Sequence, residues 1–134
     1  MKVIILLAVL LFPATCNYSQ NLIGYKEREI QKYMSHNRKD MNFENVKNSR
    51  FRYLKYTDGS ESQTVLFFLN KDSICSSVRL ICDPRVRAEK IREFNSAFNK
   101  DGDNKWIEKR GGKDYIIEVS DEMYSCIITI KPED

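Results

Sequence analysis

The chain has 134 residues, 31% of them charged and 42% hydrophobic, with a net charge of +3 and a single histidine. Acids and bases are interleaved, as in KEREIQK and EKIRE, which reads as a solvated helix face and excludes the one-sided basic stripe of a nucleic-acid binder. No apolar run reaches the roughly 20 residues that span a bilayer, so no transmembrane span is expected.

The first element is a leader. Lys2 precedes the apolar run VIILLAVLLF, Pro13 breaks it, and small residues follow at Ala14, Thr15 and Ser19. A charge, a short apolar stretch, a breaker and small residues are the layout of a secretory signal. The reading sets residues 1–19 as signal peptide and 20–134 as a single domain, exported to the periplasm or secreted. The secondary alternative is an outer-membrane lipoprotein anchored through Cys16, although Pro13 and Thr15 stand where such signals carry Leu and a small Gly or Ala. Removing the leader takes away one lysine and no acid, so the net charge falls to +2. It also leaves Cys75, Cys82 and Cys126, an odd number without metal-ligand spacing.

The exported part reads as two similar halves, about 20–83 and 84–134. In the first, IGYKEREIQKYMSHN places Ile23, Ile30, Tyr33 and Met34 at helical spacing. DMNFENVKNS reads as a connection. Three strand-like runs follow: RFRYLKY, QTVLFFLN and SICSSVRLIC, the last closed by Asp83-Pro84. In the second half, RVRAEKIREFNSAFNK carries a stripe of Ala88, Ile91, Phe94 and Phe98, with Asp83 as cap and Pro84 near its first turn. DGDN turns the chain into KWIEKR, KDYIIEVS and MYSCIITIKP, with Gly111-Gly112 as a tight hairpin turn between the first two.

The expected fold class is therefore α+β: two α-β-β-β halves forming one antiparallel sheet, with two helices packed on one face. The two-residue period puts Ile74, Val78 and Leu80 on one side of the third strand, and Tyr124, Ile128 and Ile130 on one side of the sixth. Cys82 and Cys126 fall on those same sides. They read either as small buried hydrophobes or as a disulfide, while Cys75 is expected to point the other way.

Chemistry-bearing patterns are sparse. His36 reads as a helix C-terminal imidazole favoured by the dipole. Asn99, Asp101 and Asp103 alternate as in a calcium loop, but Asn104 and Arg110 stand where that loop needs Gly and Glu. Nothing in the spacing requires a cofactor or a metal, and no carboxylate pair stands out as an acid/base couple. The aromatics are more informative. Phe67 and Phe68 are consecutive, so they point to opposite faces, and one is left on the uncovered side of the sheet. Tyr56, Arg52 and Arg79 are expected to join it in a protein-recognition surface.

The stretch LIGYKEREIQKY is similar to the helix opening of the SmpA/OmlA-type outer-membrane assembly lipoproteins and of the beta-lactamase-inhibitor-protein-like repeats. The resemblance covers about a dozen residues and the order of elements; it departs in having one helix per half where those repeats use two. It implies a small exported Gram-negative α+β domain acting through protein–protein contact. The expected function is a non-catalytic exported domain that binds a protein or envelope component through its open sheet face. The alternatives are a lipid-anchored envelope accessory protein and a small hydrolase with an unrecognised site.

Overall fold

The computed structural model describes residues 21–46, 50–60 and 62–133. The leader, Cys16 and part of the 37–49 connection lie outside the described residues.

The chain enters through a turn at Ile23-Gly24, where Gly24 takes φ of 92°, a value that costs glycine nothing and other residues a good deal. Helix α1, Glu27–Asn37, follows, with Glu27 and Glu29 in its first turn and Ile30 and Met34 buried. Acids at that end favour the helix through its dipole. Strands β1 (Met41–Glu44), β2 (Tyr53–Asp58), β3 (Gln63–Leu69) and β4 (Cys75–Cys82) come next. Asp83 then caps a short 3-10 turn, Pro84–Val86, by accepting the Arg85 N–H at 2.9 Å. The turn leads into α2, Arg87–Ala97. Strands β5 (Asn99–Lys100), β6 (Lys105–Arg110), β7 (Lys113–Asp121) and β8 (Cys126–Pro132) complete the chain. Gly111 and Gly112, with φ of 58° and 78°, form the two-residue turn between β6 and β7, as a primed hairpin turn requires.

All eight strands form one antiparallel sheet in the order β1-β2-β3-β4-β8-β7-β6-β5. The fold is α+β, as the pattern implies, with two strands more than expected. DMNFENVKNS begins with β1 rather than serving only as a connection, and Asn99–Lys100 adds β5. These two short strands sit at the outer edges.

A single row of paired residues crosses most of the sheet on its buried face: Leu54, Phe67, Val78, Ile130, Ile117 and Trp106. Each is at most 6% exposed. Tyr56, Val65, Leu80, Ile128 and Val119 form the row beside it, also buried. Ile30 and Met34 of α1 and Phe94 of α2 belong to the same continuous core. The Phe94 ring lies 5.3 Å from Trp106, whose indole N–H donates to Asn95 Oδ1 at 2.9 Å. Residues 21–23 are buried too. The Arg110 guanidinium donates to the carbonyls of Asn21 and Ile23, the latter at 2.9 Å, and Asn21 Nδ2 donates to Glu108 at 3.2 Å.

Two expectations about side-chain direction and one about a strand boundary need correction. Cys75 is buried with Val78, Leu80 and Cys82, not turned away from them. The register shifts so that Phe68 faces Ser77 while Leu69 faces Cys75. Ser76 is the extra residue, and a bulge of one residue reverses the side-chain alternation beyond it. Tyr124 is 84% exposed, because the chain turns there and β8 starts only at Cys126. The β2 strand begins at Tyr53, leaving Arg50–Arg52 of the RFRYLKY run outside it.

Candidate functional site

The second face of the sheet carries the residues of opposite parity. Leu66, Phe68, Ile81, Ile127, Ile116 and Ile107 all lie there, half-buried. The most structured part of this face is at the β2–β4 end. Tyr53, Phe68 and Ser77 are neighbours across three strands. The Tyr53 and Phe68 rings are 5.7 Å apart and tilted by 58°. Arg79 sits two residues beyond Ser77, on the diagonal that long side chains reach across, and its guanidinium lies over the Phe68 ring at 5.7 Å.

Beside them the segment preceding β2 closes a hollow of about 370 Å³. Arg50, Phe51, Arg52, Phe68, Ser77 and Arg79 contribute to its walls. The Leu69 N–H donates to the Arg52 carbonyl at 2.9 Å, fastening this segment to the end of β3. The Arg52 side chain pairs with Glu27 at 2.9 Å and donates to Ser73 Oγ at 2.7 Å. Its position is therefore held from the start of α1 and from the β3–β4 turn. Phe51 is 60% exposed. Three arginines and two phenylalanines thus converge, and no carboxylate lines the hollow among the described residues.

Of the five residues singled out from the sequence, Phe68, Arg79 and Arg52 come together at this hollow. Phe67 and Tyr56 do not. Phe67 is fully buried, and Tyr56 is 5% exposed on the same buried face with its ring edge-on to Phe67 at 6.0 Å. Tyr56 shares its parity with Leu54 and so must turn inward, which corrects its expected place on the open face. Sequence reasoning places Arg50 and Phe51 in the RFRYLKY strand, and the Arg-Phe-Arg-Tyr order ahead of β2 is the one signal that marks them.

Cys82 and Cys126 stand directly opposite each other on β4 and β8, both buried and both free thiols in this structure. Burial pushes the Cys75 and Cys82 thiols up to about 12 and raises Cys126. Such groups stay protonated and inert at neutral pH. His36 is exposed at the end of α1, with Nδ1 2.8 Å from the Lys32 carbonyl oxygen. Asp101 pairs with Lys105 at 3.5 Å across the β5–β6 turn. Among the described residues no group of three or more His, Cys, Asp or Glu side chains is placed to hold a metal ion. None of their helices is long and apolar enough to cross a membrane.

No protein-family model, no curated protein and no solved structure matches the chain.

Proposed function

We propose that this chain is an exported, non-catalytic binding domain, and that it recognises a protein segment pairing acidic with apolar side chains at the Arg50–Arg79 hollow. The carrying observation is the convergence of Arg50, Arg52 and Arg79 with Phe51 and Phe68, without a lining carboxylate. Arginine and aromatic side chains supply most of the binding energy in protein interfaces. A cluster of three arginines with no carboxylate in the lining among the described residues favours acidic partners over basic ones. The half-buried isoleucines and Leu66 on the same face extend the apolar contact area beyond the hollow.

Export rests on the charged, apolar and small-residue order of the leader. A boundary after Ser19 is compatible with the burial of Asn21, Leu22 and Ile23, since processing there leaves all three in place. The two-half reading is supported by a strand order in which each set of four runs inward from its edge to meet at β4 and β8. The core shared by Ile30, Met34 and Phe94 supports placing both helices over the buried face.

Calorimetric titration of the exported protein with a synthetic peptide alternating Glu and Leu tests the reading, with a Lys/Leu peptide as the comparator. Saturable binding of the acidic peptide alone, weakening with added salt, is expected. Arg79→Glu should reduce the affinity by at least about tenfold while the urea midpoint falls only by about 0.5 M, the share of the lost contact with Phe68. Equal binding of both peptides, or binding of neither, would overturn it. Intact mass of the exported protein checks the leader: a chain starting at Gln20 supports it, and a lipid adduct on Cys16 rejects it.

A further inference from the structure

The buried side of the sheet has an opening of its own. The last turns of α1 and the edge strand β1 diverge and leave a cleft of about 470 Å³. This lies within the range of roughly 300–1,000 Å³ typical of small-molecule sites. Met34, Met41 and Tyr56 line it as buried residues, and Phe43 borders it at 49% exposure with its ring 5.4 Å from that of Tyr56. The two methionines give the walls a deformable apolar surface that adapts to irregular ligands.

Gln31 and Ser35 make the α1 side of the lining polar, and two further polar features face a ligand. The first is Tyr56. It is 5% exposed, yet its hydroxyl has no hydrogen-bond partner among the described residues. Buried tyrosine hydroxyls ordinarily find a partner, so this one is an unused donor on a residue that lines the cleft. Its titration is raised by burial alone, with no hydrogen bond offsetting that effect. The second feature is the charge at the rim. Arg38 is engaged by Asp40 through two hydrogen bonds of 3.1 Å. The adjacent Lys39 is exposed and makes no ion pair among the described residues. No carboxylate lines the cleft among those residues.

We infer that this cleft binds a small monoanionic amphiphile, a carboxylate on a medium-length apolar body. The apolar body lies against Met34, Met41 and Phe43. One carboxylate oxygen accepts the Tyr56 hydroxyl, and the flexible Lys39 stem brings its ammonium to the same head group. Among the described residues that line the cleft, Lys39 is the one cation without an ion pair, and it matches one negative charge better than the two of a phosphate monoester. The site is separate from the arginine hollow on the opposite face, and either can fail without the other.

The test follows the methionine methyl groups by NMR in the exported protein, with decanoate as the probe. Decanol and decyltrimethylammonium serve as chain-matched neutral and cationic comparators. Decanoate should shift the Met34 and Met41 methyls in a saturable way and leave Met123, which is 84% exposed elsewhere, in place. Tyr56→Phe and Lys39→Gln should each weaken decanoate by about fivefold or more, and decanol should bind about tenfold more weakly than decanoate. Without ligand, Tyr56→Phe should melt no lower than the parent, because the hydroxyl it removes has no partner to lose. The inference is overturned by equal shifts from the cationic comparator, by parallel movement of Met123, by no shift with any probe, by unchanged binding in both variants, or by a lower melting temperature for ligand-free Tyr56→Phe.

Discussion

Truncating two neighbouring phenylalanines should have unlike consequences. Phe67 is fully buried, paired across strands with Leu54 and Val78 and edge-on to Tyr56. Truncation of such a side chain to alanine costs about 3–5 kcal/mol, because lost burial and the remaining cavity add together. Phe68, one residue on, is half-buried and contacts Tyr53 and Arg79 on the other face. Its removal forfeits one tilted aromatic pair and one cation–π contact, about 1–2 kcal/mol in all. Against a typical total of about 5–15 kcal/mol, Phe67→Ala takes a large share and Phe68→Ala a small one. Urea unfolding reads the difference directly. With a slope of about 1.5 kcal/mol/M, Phe67→Ala should lower the midpoint by about 2–3 M and Phe68→Ala by about 1 M. The slope itself should stay constant. Phe68→Ala should in addition lose the Glu/Leu peptide. Equal midpoints for the two variants, or a larger loss for Phe68→Ala, would show that the assignment of faces is wrong.

Asn95→Ala should cost about 1–3 kcal/mol in the same assay, because it strands the fully buried Trp106 N–H, and Asn95→Asp, which keeps an acceptor, should cost less. Arg110→Ala removes the donors to the Asn21 and Ile23 carbonyls and the guanidinium stacked 4.9 Å over Tyr115; a loss of about 2–4 kcal/mol is expected, with faster hydrogen exchange at Gly24, whose N–H donates to Cys75. Arg110→Lys should recover little of it, since lysine lacks the fork that spans both carbonyls. Thiol titration at pH 8 should find no fast-reacting cysteine in the folded 20–134 chain and three after denaturation; one alone would report a Cys82–Cys126 bridge. The raised thiol values also set a pH window. The folded state holds these protons more tightly than the unfolded one, so their stabilisation is complete below about pH 9 and drains away as the pH rises towards 12. Denaturation midpoints measured across that range should fall, and a rise would contradict the burial of Cys75 and Cys82.

The elements legible in the sequence were those with strong local pattern. The short apolar runs of β-branched and aromatic residues in QTVLFFL and KDYIIEV, the helical stripe in EREIQKYM and the glycine pair at 111–112 each carry a local physical cause. The edge strands had none. Met41–Glu44 and Asn99–Lys100 are short and largely polar, and they become strands because β2 and β6 offer them free backbone groups. The Ser76 bulge was invisible for a related reason: an inserted residue in Cys-Ser-Ser-Val looks like any other, and only the register with Phe68 and Leu69 reveals it. For the site, opposite directions for Phe67 and Phe68 follow from the backbone. Which of them turns inward depends on the neighbouring strands. Tyr56 was decidable from the sequence, since Lys55 between Leu54 and Tyr56 must stay near water and so sends both neighbours inward.

Under the two proposed binding roles, the faces of the sheet divide their tasks because of how the strands meet. β4 and β8 join in the middle, so one continuous buried row runs from Leu54 to Trp106. Arg110 then reaches back from β6 to residues 21–23, which precede the first helix. Neither set of strands can open without exposing part of that row, which argues for one cooperative unfolding transition. With stability lodged in the shared face, the other face is free to carry exposed aromatic and basic side chains at modest cost. Strand β2 is where the two tasks touch. Tyr53 lies on the arginine side and Tyr56 in the α1 cleft, three residues apart on opposite faces. A substitution that shifted β2 by one residue would exchange both faces at once. Loss of peptide and decanoate binding together, with the fold retained, is therefore the signature of a register change in β2, whereas loss of one alone identifies a contact.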